Sequence, residues 1–137
     1  MNFPQSVITC LKKYLVFKGR ASRSEWWYFF LFFMLVAFVG GFMIGMNPTN
    51  ETVIYIIFAA FYIPALTVTV RRFHDFGVSG WMYFAFVVPL VISDFIIRDV
   101  QPLLSTIIDL GTLLVFFVYV SKRPSKGKNK FGSVPKK

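Results

Sequence analysis

The sequence predicts an all-α membrane protein: a four-helix transmembrane bundle with an N-terminal interfacial amphipathic helix and a disordered basic C-terminal tail. Three observations predict it. Hydrophobic residues make up 56% of the chain and mean hydropathy is +0.64, above the roughly 45–50% apolar usage of soluble domains. Long uncharged runs alternate with short polar segments. The 15 Lys and Arg sit in clusters that flank those runs, so anionic headgroups are nearer partners than nucleic acid, which is not expected to bind.

The first element is amphipathic. Met1 to Cys10 lacks Lys and Arg, and Lys12 and Lys13 interrupt the apolar stretch, so no cleavable secretory signal is expected. Phe3, Val7, Leu11 and Leu15 recur every four residues, with Ile8 and Tyr14 beside them and Gln5, Thr9, Lys12 and Lys13 opposite. That spacing predicts an interfacial helix over residues 3–18. The single cysteine, Cys10, permits neither an intrachain disulfide nor a cysteine metal cluster, and a buried small side chain is its simplest reading.

Four spans follow. Ser22 and Glu25 have the spacing of a capping box, which places a helix start there. The 21 uncharged positions of 26–46 would extend roughly 31 Å, the thickness of a hydrocarbon core. Asn47 to Thr52 reads as a turn, and 53–70 as a second span that carries Pro64 in its inner half. The third segment, 81–97, has only 13 residues before Asp94. It either crosses with Asp94 near the far interface or turns back as a re-entrant segment. The fourth span, 103–120, carries Asp109 in its interior.

Positive charge orients the spans, because cytoplasmic flanks are enriched in Lys and Arg. Five lie before the first span, two (Arg71 and Arg72) between the second and third, and seven in the tail, which leaves only Arg98. With the third segment crossing, every heavy cluster falls on one side and both termini are cytoplasmic. A re-entrant segment would put the tail outside, against the rule. Residues 1–120 thus form a single membrane domain. The tail, 121–137, is rich in Lys, Gly, Ser and Pro, and is expected to be disordered for lack of apolar surface to bury.

Two motifs emerge on the cytoplasmic face. Gly19-Arg20-Ala21-Ser22-Arg23-Ser24-Glu25-Trp26-Trp27 precedes the first span, and Arg71-Arg72-Phe73-His74-Asp75-Phe76-Gly77-Val78-Ser79-Gly80-Trp81 follows the second. The pattern G-R-x-S-R-x-E-W-W followed by R-R-F-H-D-x-G-x-S-G-W resembles domain-of-unknown-function family 805, small bacterial inner-membrane proteins. The match runs over roughly Tyr14 to Gly132 and takes in Asn129, Phe131 and Gly132, similar to the family's tail of N-x-aromatic-G. Phe73 stands where the family commonly has Leu. The resemblance implies a four-span protein of a bacterial inner membrane, and it brings no established biochemical activity to carry over.

The residues themselves offer several readings. Arg20, Arg23, Arg71 and Arg72, helped by Ser22, Ser79 and the glycine backbone and flanked by His74 and Asp75, are candidates to grip an anionic lipid headgroup or a partner's acidic segment. Equally, Glu25 and Asp75 are placed to pair with those arginines and lock the helices together, although two acids do not neutralise four arginines. An enzyme acting on a phosphorylated lipid through His74 and Asp75 lacks a visible nucleophile or metal cluster, so catalysis is the lesser expectation and no cofactor is expected. A small transporter or channel would rest on Asp109, whose charge must face protein and is within reach of Arg98. Gly41 and Gly45 form a G-x-x-x-G stretch suited to close helix packing, within the chain or in a homo-oligomer.

Overall fold

The computed structural model describes residues 1–135, all-helical with no strand among them. Lys136 and Lys137, the last two residues of the predicted tail, lie outside the described residues. The elements are α1 (Phe3–Lys12), α2 (Arg23–Met46), α3 (Glu51–Asp75), α4 (Met82–Ile92, continued by a π-helical turn, Ser93–Ile97) and α5 (Pro102–Val120). A 3-10 turn, Pro48–Asn50, joins α2 to α3. Helices α2, α3 and α5 are long and apolar enough to cross a membrane, whereas Met82–Ile97 is shorter. At 1.5 Å per residue it extends about 24 Å, less than the ~30 Å of a hydrocarbon core.

Three helix ends meet at one pole. Arg72 Nε donates to the Val120 carbonyl at 2.9 Å and Arg23 Nε to that of Lys122 at 3.1 Å, so the start of α2, the end of α3 and the end of α5 converge. Gly77 (φ +83°) closes α3 in the left-handed region that glycine adopts without strain, and turns the chain towards α4. Helix α4 leaves from the same pole, with Gly80 so close to Val70 that a Cβ would lie 2.6 Å from its side chain. The chain reverses beyond Ile97, where Ser93 Oγ donates to the Ser105 carbonyl at 3.1 Å, and α5 returns.

Packing is densest near that pole. Phe73 is fully buried, with ring centroids of Phe76, Phe86, Phe116 and Tyr119 5.8–6.3 Å away. Trp26 joins the cluster through Phe116 and donates from Nε1 to Thr69 Oγ1 at 3.0 Å, tying α2 to α3. Towards the other pole α2 and α3 touch through Gly40, where a Cβ would come within 2.7 Å of Phe58. Gly41 and Gly45 have nothing within 4 Å of a Cβ position, so they take no part in this helix contact.

Several details differ from the sequence expectation. The helix expected over 3–18 ends at Lys12, and its inward residues are the small Ser6 and Cys10, while Ile8 and Leu15 are exposed. Small side chains let α1 lie close against α2 and α3. Of the Ser22–Glu25 capping box only half forms: Ser22 Oγ accepts from Glu25 N at 3.1 Å, but the Glu25 side chain turns to Arg71. The reciprocal box stands instead at α1, between Asn2 and Gln5. The expected disorder of the tail is corrected for residues 121–135. They carry no helix, yet Ser125, Gly127, Asn129 and Gly132 are hydrogen-bonded to Arg20, His74 and Asp75. Hydrogen bonds that involve backbone groups, together with one ring stacked on His74, hold that segment.

Pro64 shows how the segment that follows α1 supports α3. Proline has no N–H to offer the carbonyl four residues back, and the orphaned acceptor is Ala60. Tyr14 Oη donates to it at 2.5 Å. Tyr14→Phe is therefore expected to lower unfolding stability by about 1–3 kcal/mol, the cost of leaving a backbone acceptor unpaired where apolar surroundings take the place of water. In a Pro64→Ala background the new N–H takes the Ala60 carbonyl, and the same substitution should cost less than half as much. Reversible unfolding in detergent measures both steps.

Candidate functional site at the arginine-rich pole

Three arginines predicted as headgroup ligands are turned inward. The side chains of Arg20, Arg71 and Arg72 are at most 1% exposed, and each contacts a buried carboxylate. Burying a guanidinium is costly unless it is paired and its donors are satisfied, so two acids within reach dictate where these side chains go. Asp75 takes Arg20 Nε on Oδ1 at 2.8 Å and Arg72 Nη1 on Oδ2. Glu25 takes Arg71 Nη1 on Oε1 at 2.6 Å. Arg71 Nε and Nη2 are buried without a partner among the described residues, which makes Glu25 its neutralising contact there.

Backbone carbonyls complete the cluster. Arg20 donates through Nη1 to Gly127 at 2.7 Å and through Nη2 to Ser125 at 3.0 Å, while Arg72 reaches the carbonyls of Val120 and Lys122. Ala21 N donates to the Arg71 carbonyl at 3.0 Å, fastening the segment before α2 to the end of α3. Asn129 and Gly132 exchange two backbone hydrogen bonds of 3.0 Å, a small closed turn. This turn sets Phe131 flat against His74 at 3.9 Å.

His74 and Asp75 do not form a dyad. Both Asp75 oxygens are engaged by arginines, and His74 Nδ1 donates to the Gly19 carbonyl at 3.2 Å. Ser79 is exposed and lines a separate cavity of about 400 Å³ with His74 and Trp81. Asp109 lies towards the other pole, where Arg98 Nη2 is 3.3 Å from its Oδ2 and Arg98 also pairs with Asp94. The expected set thus divides: Arg20, Arg71, Arg72 and Asp75 form an internal clamp, while Ser22 and Arg23 face a neighbouring cavity.

That cavity, about 660 Å³, is lined in part by Ser22, Arg23, Ser24, Asp75, Arg123 and Lys126. Ser24, Arg123 and Lys126 were not among the expected site residues. The tail's resemblance to N-x-aromatic-G was the available signal that this segment folds back, since such a motif in an otherwise disordered tail has no structural purpose. On the opposite side of the clamp, burial together with the Glu25 carboxylate pushes the Cys10 thiol up to about 12.

Two outcomes test this geometry. Glu25→Ala strands Arg71 without its counter-charge and should cost about 3–5 kcal/mol, whereas the Glu25→Ala/Arg71→Met pair should recover most of the loss; unfolding in detergent reads both. Buried and raised well above the ordinary thiol value, Cys10 stays un-ionised at pH 8, and the thiolate is the reactive form. Iodoacetamide should therefore leave the folded protein unmodified and label it once denatured.

Comparison with known proteins places this arrangement. A family model described as a protein of unknown function, DUF805, matches residues 14–133. The chain is 30% identical over 133 residues to inner membrane protein YhaH of Escherichia coli (strain K12), covering 92% of each chain. It is 27% identical over 138 residues to inner membrane protein YhaI of the same strain, covering 96% of each. No solved structure matches.

Proposed function

The chain belongs to the DUF805 family of membrane proteins, whose description assigns no function, and from that premise we propose that it is a four-span, non-enzymatic module of the inner membrane that binds anionic phospholipid headgroups at its basic pole. Its relatives reside in the inner membrane. In this reading α4 with its π-helical turn makes the third crossing, tolerated because Asp94 and Arg98 reach the outer interface together, and both termini are cytoplasmic.

One observation carries the proposal: the charges separate between the two poles. Glu25 and Asp75 are consumed by the clamp, and the other four acids, Glu51, Asp94, Asp99 and Asp109, belong to the start of α3 or to the α4–α5 hairpin. Arg23, Lys122, Arg123, Lys126, Lys128 and Lys130 form no ion pair among the described residues. Their positive field meets no compensating acid at its own pole. An anionic leaflet supplies it, at about 1 kcal/mol for each basic residue held near the surface. The clamp holds the segment that carries these cations, so they are presented at a fixed place instead of on a free chain.

Native mass spectrometry tests the proposal. Protein extracted from membranes should retain phosphatidylglycerol or another anionic lipid over phosphatidylethanolamine. Arg23→Glu combined with Arg123→Glu and Lys126→Glu should erase that preference while the helical signal persists. Retention of a co-purifying protein in place of lipid, lost in the same variant, would instead identify an acidic protein partner and overturn the lipid reading.

A further inference from the structure

We propose that the cavity between the first turn of α2 and the C-terminal segment is a discrete site for a phosphate monoester, formed half by each. The inference rests on the headgroup reading and narrows it to one pocket and one class of anion. Its volume, about 660 Å³, falls within the range of roughly 300–1,000 Å³ typical of small-molecule sites. That is more room than a bare phosphate fills, so the group bound carries a small polar substituent such as glycerol.

The donors that face the cavity are unspent. Arg23 gives Nε to the Lys122 carbonyl, which leaves both Nη nitrogens without a partner among the described residues. Arg123 and Lys126 have no ion pair among them either. Two guanidinium groups can each hold two phosphate oxygens, with the ammonium as a third point of charge. Ser22 and Ser24 lie Oγ to Oγ at 3.1 Å, and Ser22 Oγ already accepts from Glu25 N. One hydroxyl proton is used between them, and the other remains to donate to an anion.

The charge balance selects the ligand. Asp75 is the one acid on the lining, and its two oxygens are held by Arg20 and Arg72. Three side-chain cations with no ion pair among the described residues, Arg23, Arg123 and Lys126, therefore line the cavity. A phosphodiester brings a single negative charge, whereas a monoester brings about −1.5 to −2 at pH 7 and three acceptor oxygens. The monoester is the better counter-ion. Because Arg123 and Lys126 belong to the C-terminal segment and Ser22 to Ser24 to α2, a bound monoester also bridges the two and holds the segment down.

The test uses the full chain in a zwitterionic detergent at constant ionic strength, with chymotrypsin cleavage after Phe131 as the reporter of undocking. Glycerol 3-phosphate, dihexanoyl phosphatidate and dihexanoyl phosphatidylglycerol are titrated separately. At ten times the half-saturating concentration, a monoester that binds only the docked state should slow cleavage about elevenfold. Protection by glycerol 3-phosphate as well as phosphatidate supports the site with a soluble source for the ligand, and protection by phosphatidate alone supports it with a lipid source. Arg123→Gln and Lys126→Gln, each read against its own cleavage rate without ligand, should abolish protection, and Lys128→Gln should leave it intact. Equal protection by phosphatidylglycerol, no saturable protection by either monoester, or protection that survives both Gln variants would each overturn the proposal. If these fail while anionic lipid still co-purifies, the pocket is wrong and the broader rim reading stands.

Discussion

Guanidinium groups that sink into a helix assembly surrounded by lipid must find carboxylates, and everything at the basic pole follows from that requirement. Among the described residues the largest fully buried side chains are Arg71 and Arg72, ahead of Phe29 and Phe73. Outward helix faces are rich in exposed Leu, Val, Ile and Phe, as lipid demands, and lipid tails give helices no hydrophobic reason to prefer one another. Buried ion pairs are a poor source of net stability, but removing one partner is expensive. Their contribution here is specificity: Arg71 with Glu25 ties α3 to α2, and Arg72 with Asp75 and the Val120 carbonyl brings the end of α5 against both.

Asp75 is the hub of this arrangement. Its carboxylate holds Arg20 and Arg72, and its backbone carbonyl accepts from Ser125 N at 3.0 Å and Ser125 Oγ at 2.9 Å. Arg20 in turn donates to that same Asp75 carbonyl and to carbonyls of the C-terminal segment. One aspartate thereby links the segment before α2, the end of α3 and the chain beyond α5. Cations outside the clamp are carried on a fixed scaffold, and the proposed headgroup site depends on that fixity.

Much of this was legible in the sequence, and the missing parts share a cause. Uncharged runs marked the long helices, Ser22 marked the start of α2, and Glu25 and Asp75 were visible as counter-charges for the arginines. Composition weighs apolar burial alone, so the tail read as disordered; the carbonyls of Ser125, Gly127 and Gly132 that accept from Arg20 carry no signature in residue type. Glu25 had two possible partners, its own helix start or Arg71, and only the fold decides between them. Helix α2 is apolar on every face, so no periodicity revealed that Gly40 packs against α3 while Gly41 and Gly45 stay open. Nothing in the residue pattern of the short third segment announced the π-helical turn, Ser93–Ile97, that extends it.

The central claim is that the Asp75 carboxylate organises the pole and the segment beyond α5 together. Hydrogen exchange of Asp75→Asn, compared with the parent protein in the same detergent, tests it most directly. Amides of Ser125, Asn129 and Gly132 should lose their protection along with those at the end of α3, while the far halves of α2 and α3 keep theirs. Unchanged protection of residues 125–132 in the variant would contradict the account, since the segment would then be held by something other than the buried charge.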